Sequence, residues 1–299
     1  MYKRQFLELL VLIYQNKKDW IKSPNKRVSL LGMSGLGKTR LSNMLQSTFN
    51  WFHYSVDYRI GTRYLDEFIV DNFKQEAMKN AFLRELLLSD SIYISSNLSF
   101  NNLYPLSTYF GKPGKESLGG INFEKYKKRQ KQHREAEILS ILDTNKFIKK
   151  SNDIYGYQNF VCDTSGSICE VVNPEDPNDP LLSHLYEDTL IILIKGSRKH
   201  KEQLIKRFKK DPKPIYYNED FLNKKWSNFK DEFKVSNSNV DPDKFILYCF
   251  EELLDYRTPI YNSIAKNWGI TIDADDISKV KNENDFINLV SHYLSKIKE

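Results

Sequence analysis

Short apolar runs recur along the chain, and each has the length of a buried β-strand. They are RVSLL at 27–31, the aromatic run WFHYSVD at 51–57, FVCD at 160–163, TLIILI at 189–194 and PIYY at 214–217. Between them, apolar residues recur at helical spacing, as at Leu41, Met44 and Leu45 and again over residues 202–208. Strands that alternate with helices are typical of a parallel sheet covered by helices on both faces. The pattern therefore predicts an α/β fold.

One long interval interrupts this alternation. Roughly a hundred residues separate the run at 51–57 from the run at 160–163, far more than a single crossover helix needs. Within the interval, apolar spacing predicts helices over 68–88 and 123–142, a strand over 91–95 and a glycine-rich turn over 111–120. We therefore predict a helical subdomain at 62–155, inserted into a sheet domain formed by 25–61 and 156–299.

The first 24 residues are predicted to form an amphipathic helix that precedes the sheet domain. The apolar run at 6–14 contains Glu8, is too short to span a bilayer and lacks a small-residue cleavage site. The opening pentapeptide MYKRQ resembles a translated sequencing adapter, so we assign no function to it.

Composition and charge narrow the class of protein only slightly. The 299 residues include 45 Lys and Arg and 39 Asp and Glu, an excess of +6 that suits an anionic small substrate as well as nucleic acid. The three cysteines and five histidines show no metal-ligand spacing, so no zinc site is expected. An odd cysteine count without a disulfide framework is typical of a reduced, cytoplasmic protein.

The strongest chemical signal lies between the first predicted strand and the next helix. Residues 32–39 read GMSGLGKT and satisfy the phosphate-loop pattern G-x-x-x-x-G-K-[ST], also called Walker A. In such a loop, glycines let backbone N–H groups surround a phosphate, the lysine reaches the β- and γ-phosphates, and the hydroxyl of the last residue ligates Mg²⁺. The sequence therefore predicts a site for ATP and Mg²⁺ formed by Gly32, Met33, Ser34, Gly35, Leu36, Gly37, Lys38 and Thr39.

Two acids follow predicted strands whose carboxyl ends face the same crevice as this loop. Asp163 is predicted to hold Mg²⁺ together with Thr39; the alternative is that Asp163 caps the next helix. Asp57 is predicted to orient and deprotonate an acceptor hydroxyl, with Arg59 binding an anionic group of the acceptor. The alternative for these two residues is an exposed ion pair of little consequence.

The order of these motifs resembles the small-molecule kinases of the P-loop fold, and shikimate kinases most closely. The likeness rests on residues 32–39, on Asp57 and on RTPIYNSIA at 257–265, which is similar to an R-x-P-x-Y-x-x-x-A stretch of that family. The resemblance implies that Arg257 contacts a carboxylate of the acceptor; the alternative is a tyrosine–proline packing motif with a solvated arginine. DYRIG at 57–61 is also similar to adenylylsulfate kinases, and residues 53–65 to bacterial proteins described only as ATPases.

The chain also departs from the shikimate kinase pattern. That family carries a glycine triplet after its third strand, where this chain has DTSGS at 163–167, and it lacks the long insert. P-loop kinases often place a lid arginine over the triphosphate after the next strand, which makes Arg198 a further candidate for nucleotide binding; the alternative is an ordinary surface loop. The basic run at 125–134 suits RNA or an anionic substrate, or else a solvated helix face.

Together these features predict a P-loop kinase that transfers the γ-phosphoryl group of MgATP to a small, anionic metabolite with a hydroxyl group. Lys38 and Asp57 would be the catalytic residues, and the insert would form the acceptor pocket. The alternative is a regulatory ATPase whose insert binds a protein or RNA partner. No guanine-reading N-K-x-D segment follows a predicted strand, and phosphorylation of nucleic-acid ends is a lesser possibility.

Overall fold

The computed structural model describes residues 13–14 and 16–296. Most of the predicted N-terminal helix, and the pentapeptide at its start, lie outside these residues. The strands are β1 (Arg27–Leu31), β2 (Trp51–Ser55), β3 (Asn159–Asp163), β4 (Leu190–Lys195) and β5 (Gly269–Asp273). The helices, in chain order, are α1 (Lys17–Lys22), α2 (Lys38–Gln46), α3 (Val56–Arg59), α4 (Asp66–Ala77), α5 (Ala81–Leu88), α6 (Tyr104–Phe110), α7 (Phe123–Leu142), α8 (Thr144–Asp153), α9 (Pro180–Asp188), α10 (Arg198–Lys210), α11 (Glu219–Phe233), α12 (Pro242–Trp268), α13 (Ala274–Lys279) and α14 (Glu283–Ser295).

Shorter helical turns complete the secondary structure. A π-helix at Ile60–Tyr64 follows α3 directly, and 3-10 turns lie at Glu116–Leu118, Ile168–Glu170 and Asn237–Asn239.

The five strands form one parallel sheet in the order β2-β3-β1-β4-β5. Four of the five strands predicted for the sheet are present, and the helices that separate them flank the sheet, which confirms the predicted α/β class. Strand β1 lies in the middle, with Leu30 paired to Asp163 on β3 and to Ile192 on β4. The residues that follow β1 and β3 therefore emerge side by side at the carboxyl edge of the sheet.

The prediction of a strand at 214–217 is wrong. This segment belongs to no strand, and the backbone amide of Tyr217 donates to the Gln130 side chain on α7 instead (2.9 Å). The fifth strand is β5, an edge strand whose buried residues alternate with more exposed ones. Its sequence GITID lacks a continuous apolar run because only one of its faces is covered, and the pattern of apolar runs therefore did not predict it.

The core beside the sheet is rich in aromatic rings. Trp20 on α1 and Trp51 on β2 are fully buried, and both pack edge-on against Phe286 on α14, with ring centroids 6.4 and 5.8 Å apart. Leu41 and Leu45, one helical turn apart on α2, are buried in the same cluster. This packing holds α2 against the sheet.

The chain divides into two compact units. The first holds the described residues up to Val56, Ile138–Lys210 and the described residues from Phe250 onward, and it contains the whole sheet. The second consists of Asp57–Glu137 and Asp211–Cys249. The segment predicted as an insert, 62–155, thus contributes its first part to the second unit, whereas its last part groups with the sheet.

The second unit is helical and is held together by contacts between its two chain segments. Tyr126 on α7 is fully buried and donates through its hydroxyl to Ile215 O (2.9 Å), and the rings of Phe123 and Trp226 are stacked 4.1 Å apart. The helix predicted over 123–142 is present as α7. The helix predicted over 68–88 is two helices, because Asn80 caps α5, and the strand predicted over 91–95 does not form.

Candidate functional site

The glycine-rich loop, residues 32–39, connects the end of β1 to the first turn of α2. Gly32 adopts a φ of 138°, and a Cβ atom there would lie 2.7 Å from the carbonyl oxygen of Ile194 on β4. A side chain at this position would therefore collide with backbone, so the turn out of the sheet requires glycine. The first backbone bond into α2 is donated by Leu41 to Gly37 O (2.9 Å). The amides that precede Leu41 in this helix have no intrahelical acceptor, which is the geometry of an anion site.

The Lys38 side chain turns back onto the loop and binds its backbone. Its side chain is buried, and Nζ donates to Gly32 O at 2.7 Å and to Met33 O at 3.4 Å. Both acceptors are neutral carbonyl groups of the loop itself. A negatively charged acceptor placed in the loop would bind the ammonium group more strongly than these carbonyls do.

Thr39 and Asp163 meet at the carboxyl edge of the sheet. The Thr39 hydroxyl donates to Asp163 Oδ2 at 2.7 Å, and Asp163 is only 5% exposed. The two residues are 124 positions apart in the chain and are brought together by the register of β1 with β3. The alternative that Asp163 caps the next helix is wrong, since the next helical turn begins at Ile168 and Ser167 precedes it.

His53 on β2 is a neighbour of this pair that sequence reasoning did not single out. Its Nε2 atom lies 3.8 Å from Asp163 Oδ2, and its side chain is fully buried. His53 is paired with Val161 on β3, two residues before Asp163. The sequence signal that could have identified His53 is its polar side chain in the middle of the apolar run WFHYS.

The segment after β3 packs directly on the glycine-rich loop. Thr164 donates through its hydroxyl to Leu30 O (2.8 Å), which fixes the chain as it leaves the sheet. A Cβ atom at Gly166 would lie 2.9 Å from the Ser34 hydroxyl, so the two loops touch at this point. The glycine in DTSGS thus permits close approach of one loop to the other.

Arg257 binds the segment that follows β3. It is buried, its guanidinium forms an ion pair with the fully buried Glu170 carboxylate, and Nη1 donates to Gly166 O (3.0 Å). Burial acts to lower the pKa of Arg257, but the charge of Glu170 and the hydrogen bond to it outweigh burial and raise that pKa above its usual value. The alternative of a solvated arginine is therefore wrong. Contact between Arg257 and an acceptor stays a prediction, and an acceptor carboxylate would have to displace Glu170.

Tyr261, four residues further along α12, reaches the glycine-rich loop itself. Its side chain is buried and its hydroxyl donates to Gly32 O at 3.5 Å. The segment that resembles the shikimate kinase motif thus makes two contacts here: Arg257 binds Gly166 in the segment after β3, and Tyr261 binds Gly32 in the loop.

Helix α10 lies next to the glycine-rich loop. The arginine of α10 that contacts the loop is not Arg198, the predicted candidate. Arg198 points into solvent, with a side chain 92% exposed, and pairs with Glu202 on the same helix (3.0 Å). Arg207 contacts the loop instead: its Nη2 atom lies 2.9 Å from the place where a Cβ on Gly35 would sit. About two and a half turns of helix separate the two arginines, and the sequence alone did not show which of them faces the loop.

Asp57 and Arg59 open the second unit. Both lie on α3, immediately after β2, and both are half-buried, so neither is an exposed surface residue. The Arg59 guanidinium lies 5.6 Å from the centre of the Tyr64 ring in the same unit. Ser55 is the residue of β2 that pairs with Asp163, and Asp57 comes two positions after Ser55 in the chain. Their predicted roles toward an acceptor stay predictions.

A cavity of about 210 Å³ adjoins the glycine-rich loop within the first unit. Apolar side chains of Met33, Leu36 and Leu204 line one part of it, and polar groups of α12, including Thr258 and Asn262, line another. The cavity is smaller than the roughly 300–1,000 Å³ of sites that enclose a whole drug-sized ligand. It has room for part of a ligand whose remainder lies over the loop.

The described residues contain no group of three or more His, Cys, Asp or Glu side chains arranged to hold a metal ion. A cation at Thr39 and Asp163 would therefore need further ligands from a bound phosphate or from water. None of the helices in the described ranges is both long and apolar enough to cross a bilayer. The sequence matches no model of a known protein family and no curated protein.

Proposed function

We propose that this chain binds ATP with Mg²⁺ at the glycine-rich loop and transfers the terminal phosphoryl group to a small, anionic metabolite that carries a hydroxyl group. The observation that carries the proposal is the 2.7 Å contact between Thr39 and Asp163 at the start of α2, one residue after Lys38. A hydroxyl, a carboxylate and an ammonium group at the mouth of one loop are the set that a magnesium-bound triphosphate requires.

The residues of the first unit take distinct roles in this proposal. Bound MgATP supplies the phosphoryl group and a cation that neutralises charge on it. Lys38 would leave the Gly32 carbonyl and stabilise negative charge on the transferred group. Thr39 and Asp163 would hold the cation, and Arg207 replaces Arg198 as the arginine of α10 beside the phosphates. The cavity next to Met33 and Leu36 would receive the apolar part of the nucleotide.

Arg257 and Tyr261 act through the loop in this account. Their contacts with Gly166 and Gly32 hold the loop in shape, so they are positioning residues. Asp57 and Arg59 of the second unit would orient the acceptor hydroxyl and bind the acceptor's charge, as the resemblance to adenylylsulfate kinases implies.

The proposed transfer is tested by incubating the purified chain with MgATP and a fractionated metabolite extract. Mass spectrometry would then show a product heavier by one phosphate. The informative variant is Asp57→Asn: loss of an acid beside the acceptor hydroxyl lowers the rate of phosphorylation by about 10²–10⁴. ATP affinity stays within about threefold of the parent, a difference below roughly 1 kcal/mol, because the nucleotide binds elsewhere.

The matched control is Asp71→Asn, which removes an exposed carboxylate of the same unit and should leave both quantities unchanged. A regulatory ATPase would give a different result. In that case no extract fraction increases ATP consumption by the parent chain, whereas a protein or RNA partner does, and the proposal of a kinase is abandoned.

A further inference from the structure

The positive charge of the chain is concentrated on one helix. Helix α10, RKHKEQLIKRFKK, carries seven Lys and Arg residues and one Glu, a formal charge of +6. The whole chain also has a formal charge of +6, so its remaining residues hold 38 basic and 38 acidic side chains. The formal charge of these thirteen residues thus equals that of the whole chain, and the charges of all other residues sum to zero.

These charges form a stripe along the solvent side of the helix. Lys199, Lys206 and Lys210 are exposed, and their spacing of seven and four residues keeps them within about 40° of one line, over about 16 Å of helix. Arg207 and Lys209 are also exposed and flank this line on either side. We call these five residues the α10 basic stripe.

The α10 basic stripe is not neutralised within the part of the chain that the structure describes. None of its five side chains makes an ion pair or a hydrogen bond with a described residue. The two basic residues of α10 that do pair, Arg198 with Glu202 and Lys201 with Asp255, lie outside the stripe. Five like charges held together on one helix repel one another, and an anion with regularly spaced charges would relieve that repulsion.

The opposite face of α10 is engaged in the fold. Phe208 is buried and its ring is stacked on Phe250 of α12 (3.8 Å), while Leu204 contacts Gly35. An amphipathic helix that lies in a bilayer surface inserts its apolar face, and the apolar face of α10 is already packed in the fold. The exposed face offers charge alone, which is what a chain of phosphate groups recognises.

We propose that the α10 basic stripe binds the phosphate backbone of a nucleic acid strand. No exposed aromatic side chain lies on the stripe to stack with a base, so this binding is independent of base sequence and strongly weakened by salt. Because Arg207 both flanks the stripe and contacts Gly35, the bound strand runs alongside the glycine-rich loop. Binding of the strand does not depend on phosphoryl transfer.

The test measures binding of the full chain, without nucleotide, to a fluorescently labelled 20-nucleotide single-stranded DNA of mixed sequence. The stripe variant combines Lys199→Gln, Lys206→Gln and Lys210→Gln. The matched control combines Lys125→Gln, Lys128→Gln and Lys131→Gln, which removes the same charge from exposed positions of α7, the other basic helix. Fluorescence anisotropy is recorded between 50 and 200 mM salt, and circular dichroism establishes that both variants fold.

The parent is expected to bind at low salt, with an affinity that falls steeply as salt increases. The stripe variant should bind at least tenfold more weakly and show a shallower dependence on salt, since each lost contact with a single strand removes about 0.7 from the logarithmic slope. The affinity of the control for DNA should stay within threefold of the parent's affinity. Vesicles containing phosphatidylserine should bind the parent more weakly than the DNA does, since α10 has no free apolar face to insert.

Three results would overturn the proposal: no binding of DNA by the parent at 50 mM salt, equal losses in the stripe variant and the control, or binding to vesicles but not to DNA. ATP binding, measured separately, decides the proposed function. The two ideas can therefore fail independently.

Discussion

Asp163 and Thr39 approach each other because of a single pairing in the sheet. Leu30 on β1 is in register with Asp163 on β3, so the carboxylate emerges next to the residues that follow β1. Thr39, in the first turn of α2, then donates its hydroxyl to that carboxylate at 2.7 Å. Neither residue needs a long or flexible side chain for this contact, and both are held by regular secondary structure.

Replacement of Asp163 by Asn should separate the charge of this residue from its hydrogen bond. The amide oxygen still accepts from Thr39, so we expect the variant to fold with the parent's thermal midpoint. The negative charge is lost, however, and with it the attraction for Mg²⁺. Calorimetry should show ATP binding in EDTA unchanged, while the increase in affinity on adding Mg²⁺ falls about tenfold, as loss of one charged contact implies.

The control for this variant is Asp153→Asn, an exposed acid at the end of α8 in the same unit. Its response to Mg²⁺ should equal that of the parent. An Asp163→Asn variant that binds MgATP as tightly as the parent would mean that another acid holds the cation.

At the scale of elements, the glycine-rich loop is held by two segments from later in the chain. The segment that follows β3 touches it through Gly166, and α12 touches it through Tyr261. Arg257 joins these two supports, since it binds both Gly166 O and the Glu170 carboxylate. The shape of the loop therefore depends on a buried ion pair that the loop itself does not contain.

Removal of the carboxylate by Glu170→Ala should destabilise the protein strongly. It leaves the Arg257 guanidinium buried without its counter-charge, which typically costs about 3–5 kcal/mol. Urea unfolding followed by circular dichroism should show this as a lower midpoint. The matched control is Glu202→Ala, which breaks an Arg–Glu pair of the same type on the exposed face of α10 and should change the midpoint very little. Equal effects in the two variants would show that the buried pair does not stabilise the fold.

The sequence predicted the elements that have a strong local pattern. It did not predict features that depend on contacts between residues far apart in the chain. Four buried strands, helix α7 and the turn before Lys38 were predicted from local pattern alone. The pairing of Arg257 with Glu170 was not, because residues 87 positions apart give no local signal. Strand β5 was missed because its alternating residues reflect its place at the edge of the sheet.

At the scale of the whole molecule, the chain passes from the first unit to the second twice and returns to the first unit each time. The second unit is formed by two segments, and contacts such as Lys115 N to Val240 O (2.8 Å) join them. The segment predicted as an insert, 62–155, therefore overlaps only the first of these two segments and extends beyond its end. The distribution of charge is likewise a property of the folded molecule, since only the structure shows which lysines of α10 face solvent together.

The central claim is that the glycine-rich loop binds a nucleoside triphosphate. Isothermal titration calorimetry of the full chain with MgATP tests it most directly, with Lys38→Ala as the variant and Lys22→Ala, an exposed lysine on α1, as the control. Loss of one charge-assisted contact is worth about 1.5–3 kcal/mol. We therefore expect the parent and Lys22→Ala to bind MgATP equally, and Lys38→Ala to bind at least tenfold more weakly. Equal binding by all three proteins, or no binding by the parent, would contradict the account.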